Sequence, residues 1–164
     1  MLNVKIPYPD PAEELEILRR TTGDDEAAPE AILSAEQILS LQHLVRRLPV
    51  AEHVFLYARD LIRATRPAES EAAPLVKRCV SWGAGPRAGQ SLILAAKARA
   101  ALQGRLHAGI GDVRAVARPV LRHRIVTTFH AEAEGITSDS IIAHLLETVP
   151  PATDHAASRL EREL

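Results

Sequence analysis

The sequence of 164 residues has the length of one domain or a small multi-lobed unit. Its 20 Lys plus Arg against 21 Asp plus Glu leave a formal net charge of -1, which excludes a global pull toward nucleic acid or anionic lipid and makes any basic patch local. Apolar residues at 46% with aromatics at only 3% assign burial to Ala and Leu, so the expected class is mainly α, a helical bundle, and an aromatic-rich sheet is excluded.

At the amino end, Leu2, Val4 and Ile6 alternate with polar residues, a strand pattern cut off by Pro7 and Pro9. A strand this short needs a neighbour, and the sequence offers no second good one nearby. Asp10 then reads as an N-cap with Pro11 at the first helical position, and the helix that follows ends at Gly23. An acidic loop spans 24–30. Ser34 with Gln37 makes a capping box before the stripe Ile38, Leu41, Leu44, Val45 and Leu48, which Pro49 breaks. A third helix is expected from about Glu52 to Arg66, followed by a Pro/Ala/Glu loop over 67–74 and one or two helical turns over 75–80.

Gly85 can cap the next helix and Pro86 fits its first position; Gly104 ends it. Its apolar residues wrap most of the circumference, which marks it as the buried central helix. Val113, Val116, Ala117, Val120 and Leu121 form another helical face interrupted by Pro119. Thr137 or Ser138 caps the last helix, and Pro150-Pro151 stops it. The expected organisation is a strand and hinge segment at 1–9, a helical domain at 10–150 and a polar tail at 151–164.

Several chemistries are absent from the sequence. No glycine precedes a lysine, so there is no P-loop, and glycines 83, 85 and 89 are spaced one residue too long for a dinucleotide fingerprint. The seven histidines show neither an H-x3-H pair nor an H-E-x-x-H motif, and no nucleophile elbow is present. His123 lies between Arg122 and Arg124, a poor neighbourhood for a cation, and Cys79 sits in an apolar run that reads as buried and inert. One cysteine also excludes an internal disulfide framework. The longest stretch without a formal charge, 88–96, is far short of the roughly 20 apolar residues that span a bilayer, and the start carries no signal pattern; a soluble, cytoplasmic protein is expected.

Two features remain. Arg87 falls in the first turn of a helix just after a glycine-rich bend, where the forked guanidinium and the positive helix end both favour an anion such as phosphate. Arg114, Arg118 and Arg122 recur at i, i+4 and i+8, a basic stripe on one helical face that suits phosphate, nucleic acid or an acidic partner subunit. Nucleic acid is disfavoured because the rest of the chain cancels the stripe.

These residues resemble the C-terminal part of MoxR-type ATPases, a branch of the AAA+ superfamily. Pro7-Tyr8-Pro9 with Glu13 to Arg20 resembles the segment that joins the nucleotide-binding domain to the lid, and Ala64-Thr65-Arg66 resembles the family's A-T-R. Trp82-Gly83-Ala84-Gly85-Pro86-Arg87-Ala88 resembles its W-G-A-G-P-R-A. Residues 95–100, Gly104-Arg105, residues 119–125 and 131–135 complete the match in order. The resemblance covers roughly 2–150.

It implies a sensor 2 role for Arg87, with Gly85 and Pro86 in the same nucleotide-binding tag. It implies that Walker A, Walker B, sensor 1 and the arginine finger lie upstream, so that this chain alone neither hydrolyses ATP nor holds it tightly. The chain would be a fragment or truncated product of a longer ATPase that uses ATP and Mg2+. The implied partners are the AAA+ core domain, neighbouring ring subunits through Arg114, Arg118 and Arg122, and chaperone-like action on proteins with von Willebrand A domains. A helix-turn-helix DNA-binding regulator, reading through the basic helix at 113–124, and an inactive adaptor docking on an intact ATPase are the alternatives. One local departure stands out: Ala108-Gly109-Ile110-Gly111-Asp112 replaces the usual capped, acidic start, so the helix at 113–121 should be frayed at its beginning.

Overall fold

The computed structural model describes residues 1–24, 30–70 and 72–151. Part of the acidic loop and nearly all of the polar tail fall outside the described residues. Among those described there are eight helices and one two-stranded antiparallel ladder, as the Ala- and Leu-based composition requires. None of the helices is long and apolar enough to cross a membrane.

Residues 1–10 form no ladder with any of the described residues. The segment touches the helical body through two hydrogen bonds: the Asn3 amide donates to the Pro119 carbonyl at 2.7 Å, and Arg124 Nη1 donates to the Met1 carbonyl at 3.1 Å. Helix α1 (Pro11–Thr21) starts as expected, with Asp10 Oδ1 accepting from the amides of Ala12 and Glu13. Helix α2 (Ala35–Arg47) opens on the Ser34/Gln37 capping box. Neither helix buries a single residue; Leu18, Leu41 and Leu44 each remain about half exposed.

The core begins at Leu48. Helix α3 (Glu52–Arg63) buries Val54, Tyr57, Ala58, Leu61 and Ile62. It ends three residues before the expected limit, because Thr65 Oγ1 turns back to donate to the Ile62 carbonyl at 2.6 Å. Helix α4 (Pro74–Cys79) leads into β1 (Val80–Trp82), which pairs with β2 (Val126–Thr127) around an irregularity at Ser81. Cys79 is fully buried, as its apolar run indicated.

Helix α5 (Pro86–Leu102) is the central helix, packed most extensively on α6 (Ile110–Leu121) and also on α3 and α2. Its buried residues are Ala88, Ser91, Leu92, Ala95, Ala96 and Ala100. Four alanines on the contact face let neighbouring helices approach closely. Gly104, at φ 69°, ends the helix in the left-handed conformation that glycine adopts without strain. Helix α7 (Phe129–Ala133) and helix α8 (Ser138–Thr148, capped by Thr137) close the bundle.

The expected fraying at the start of α6 is overturned. Helix α6 starts at Ile110 with Gly109 as its cap, and the Gly109 amide donates to Asp112 Oδ2 at 2.9 Å. Asp112 is almost fully buried and gripped from outside the helix. Arg99 Nη1 reaches Oδ1 at 2.6 Å, while Arg105 reaches Oδ2 through Nη1 at 2.7 Å and Oδ1 through Nη2. A carboxylate in the first turn therefore holds the amide of the capping glycine and pins the helix start to Arg99 and Arg105, although no side chain caps the first-turn amides. Pro119 is accommodated inside α6 two residues from its end, and the carbonyl it presents is the one taken by Asn3.

Candidate nucleotide-sensing site

The loop Trp82-Gly83-Ala84-Gly85 carries the chain from β1 into α5, and the turn after α3 fixes it. The Ala84 amide donates to the buried hydroxyl of Thr65 at 2.8 Å, and the Ala84 carbonyl accepts from Arg66 Nε at 3.0 Å. Both backbone groups of one residue are thus satisfied by two adjacent side chains 18 and 19 positions earlier. Gly83 lies against that turn so closely that a Cβ would stand 2.5 Å from the Thr65 carbonyl oxygen and 2.8 Å from Arg66 Cα. The glycine serves close backbone approach, not a positive φ. One turn into α5, a Cβ on Gly89 would stand 2.9 Å from Ile62 Cδ1, so the end of α3 seats α5 at a second level.

Gly85 is the N-cap of α5, with φ -84° and ψ 176°, and Pro86 is its first helical residue. No side chain caps this end, and open space surrounds Gly85. Arg87 follows in the first turn. It is exposed, and among the described residues it makes no hydrogen bond or ion pair. An uncapped helix start with an uncommitted guanidinium on it suits an incoming anion.

Beside this helix start, a cavity of about 820 Å³ opens between α2, α3 and α5. Its floor is apolar, with Phe55, Ile62 and Ile93, and arginines 46, 59, 63 and 66 line it. Three of these are partly neutralised. Arg59 pairs with Asp60 at 2.8 Å, and Glu69 takes Arg63 at 2.6 Å and Arg66 at 3.3 Å. Pro86 and Gln90 lie in the wall, so the cavity and the start of α5 share a boundary.

The basic stripe on α6 is divided by the fold. Arg114 Nη1 donates to the buried Tyr57 hydroxyl at 3.1 Å, and Arg122 Nε pairs with Asp139 at 3.0 Å. Arg118 stays exposed. Arg124 turns inward to Ser91 and the Val120 carbonyl. Local burial, then the charges of Arg124 and the amino terminus, hold His123 below the ordinary imidazole value, in line with its position between two arginines. Among the described residues no cluster of three or more His, Cys, Asp or Glu could hold a metal ion.

Sequence reasoning put Arg87 in the first turn of a helix, where the structure also has it, but missed the buried hydroxyl of Thr65 and the carboxylate of Asp112. Thr65, Arg66, Arg99 and Arg105 all stand in the tags that carried the resemblance. What those tags do is visible only once the fold brings 65 to 84 and 105 to 112.

Comparisons with known proteins converge on one family. Residues 72–145 match the AAA lid domain. Chaperone MoxR1 of Mycobacterium tuberculosis is 35% identical over 149 residues, covering 91% of this chain and 39% of that protein. The uncharacterised protein YeaC of Bacillus subtilis is 24% identical over 163 residues, covering 97% of this chain and 47% of that protein. A crystal structure from Cytophaga hutchinsonii, of a protein assigned as an ATPase, superposes with a TM-score of 0.80 at 30% identity, over 93% of this chain and 47% of that one. The chain spans less than half the length of each of these relatives. The lid match contains α6, the basic helix on which the DNA-binding alternative rests. Together with the helical fold, these matches identify the chain as carrying an AAA+ lid of the MoxR type.

Proposed function

We propose that this lid reports the state of a bound nucleotide to the rest of a MoxR-type ATPase through Arg87, in the sensor 2 role. The observation that carries the reading is the exposed, uncommitted guanidinium of Arg87 on the uncapped first turn of α5. ATP would be the substrate, held between this lid and a P-loop domain. The lid's contribution is cationic, so we place Mg2+ and its ligands on the P-loop side. Phosphoryl transfer to water is mostly positioning and electrostatics, and a lid takes part in it without supplying a nucleophile. Arg87 would meet the terminal phosphate; once hydrolysis removes that charge, the lid loses its partner and changes angle, with 4–9 as the hinge.

The family further supports ATP-driven, chaperone-like remodelling by a cytoplasmic ring of subunits. Arg114, Arg118 and Arg122 would meet a neighbouring subunit, and the exposure of Arg118, with Arg114 and Arg122 bonded within the lid, supports Arg118 as the leading contact. Clients with von Willebrand A domains are the partners the resemblance implies. In the full-length ATPase, Arg87→Ala should lower turnover on the order of a hundredfold, the scale of losing one charged donor from a transition state. Steady-state phosphate release measures it, and unchanged turnover would remove the sensor role.

A further inference from the structure

We infer that Thr65 and Arg66 are positioning residues for Arg87: together they clamp the backbone of Ala84 and so set where the first turn of α5 points. This rests on the reading of Arg87 given above.

Three observations carry it. First, the clamp takes both backbone groups of Ala84, three residues before Arg87, through the Thr65 hydroxyl at 2.8 Å and Arg66 Nε at 3.0 Å. Second, it is rigid. The Thr65 side chain is fully buried and its hydroxyl is oriented by donation to the Ile62 carbonyl at 2.6 Å. Arg66 is braced by Glu69, which also holds Arg63. Third, Gly83 has no room for a side chain against the Thr65 and Arg66 backbone, so the loop cannot slide relative to the turn. The start of α5 has no side-chain cap of its own. The body of α5 is oriented by its packing on α6, α3 and α2, and the loop that enters its first turn is held by the end of α3; a guanidinium that must meet a phosphate within hydrogen-bond reach depends on that placement.

The roles are distinct. Arg87 would touch the nucleotide; Thr65 and Arg66 would act on it only through the backbone of 84–86. Arg66 also lines the arginine-bearing cavity beside α5, so the wall of that cavity and the start of the helix are one mechanical unit.

Two measurements test the inference. In this chain, Thr65→Val should speed hydrogen exchange of the Ala84 amide by roughly tenfold or more, while Thr65→Ser, which keeps the hydroxyl, leaves it slow. An Ala84 amide that stays equally protected in a folded Thr65→Val chain overturns the clamp and leaves the Arg87 reading standing. In the full-length ATPase, Thr65→Val and Arg66→Gln should each lower kcat with little change in KM, and Thr65→Ser should restore it. Adding Thr65→Val to Arg87→Ala should cost nothing further, because both act through one guanidinium. A multiplicative loss in the double variant overturns the positioning role. Normal turnover in Arg87→Ala overturns the sensor reading itself, and the exchange result then still decides the clamp. Should Thr65→Val unfold, Arg66→Gln, which removes the donor to the Ala84 carbonyl, carries the turnover test alone and in combination with Arg87→Ala.

Discussion

Two glycines two positions apart illustrate how a residue's surroundings decide its tolerance. Gly83→Ala puts a methyl group into backbone atoms that cannot move aside like a side-chain tip, and should destabilise by about 1–3 kcal/mol. Gly85→Ser meets open space and supplies the side-chain oxygen that α5 lacks, so it should leave stability unchanged or raise it by a few tenths of a kcal/mol, roughly. Urea midpoints of the two variants check the contrast. Asp112 is the other single residue on which an element depends. Its hydrogen bonds from Arg105, then from the Gly109 amide and Arg99, hold the carboxyl well below the usual carboxylate range against the opposing effect of burial. In acid the unfolded chain therefore binds a proton here that the folded chain does not. The contribution is complete above the ordinary Asp value of about 3.9 and is lost as pH falls below it. Asp112→Asn should cost about 2–3 kcal/mol, less than the 3–5 kcal/mol or so of a wholly buried pair, because Arg99 and Arg105 are more than a third exposed. The variant should also show a flatter fall in stability between neutral and acid pH, measured by thermal melts across that range. The helix start that carries Arg87 was legible because its signal is local, a glycine at the cap and a proline at the first position. Thr65 and Asp112 were not, since a buried hydroxyl or carboxylate is recognisable only by partners far away in sequence.

Among the elements, the helices were readable from period and punctuation. Asp10, Ser34, Gly85, Gly104 and Thr137 all sit at the helix ends their chemistry indicates. The ladder of β1 and β2 was not, because strands of three and two residues leave no alternation to detect. Helix α3 stopped short where the Thr65 hydroxyl competed for the Ile62 carbonyl, a tertiary choice made when Ala84 arrived. Similar apolar stripes also met different fates. Leu92 on α5 is fully buried, whereas Leu18 on α1 is 54% exposed. In this chain Leu92→Ala should cost about 2–5 kcal/mol, and Leu18→Ala should fall within about 0.5 kcal/mol of zero. Chemical denaturation of both variants separates a stripe that is core from one that is left half exposed among the described residues.

For the whole molecule, the pattern of burial predicts uneven stability. Every buried residue lies at or beyond Leu48 among the described residues, so α1 and α2 should exchange their amides faster than α5 and α6. Hydrogen exchange resolved by residue checks the ordering, and equal protection throughout would show that the amino-terminal helices share the main cooperative unit. The first residues are hydrogen-bonded to the bundle through the Asn3 amide and the Met1 carbonyl, each bond worth about 0.5–1.5 kcal/mol net, and the partly exposed side chains of Met1 and Leu2 lie in a groove with Ile38, Leu94 and Val116. A moorage that slight is only a few times thermal energy. Parting those two bonds would unpack no buried side chain of the helical body, and if the hinge acts as proposed, that body would swing as one rigid block on a light tether.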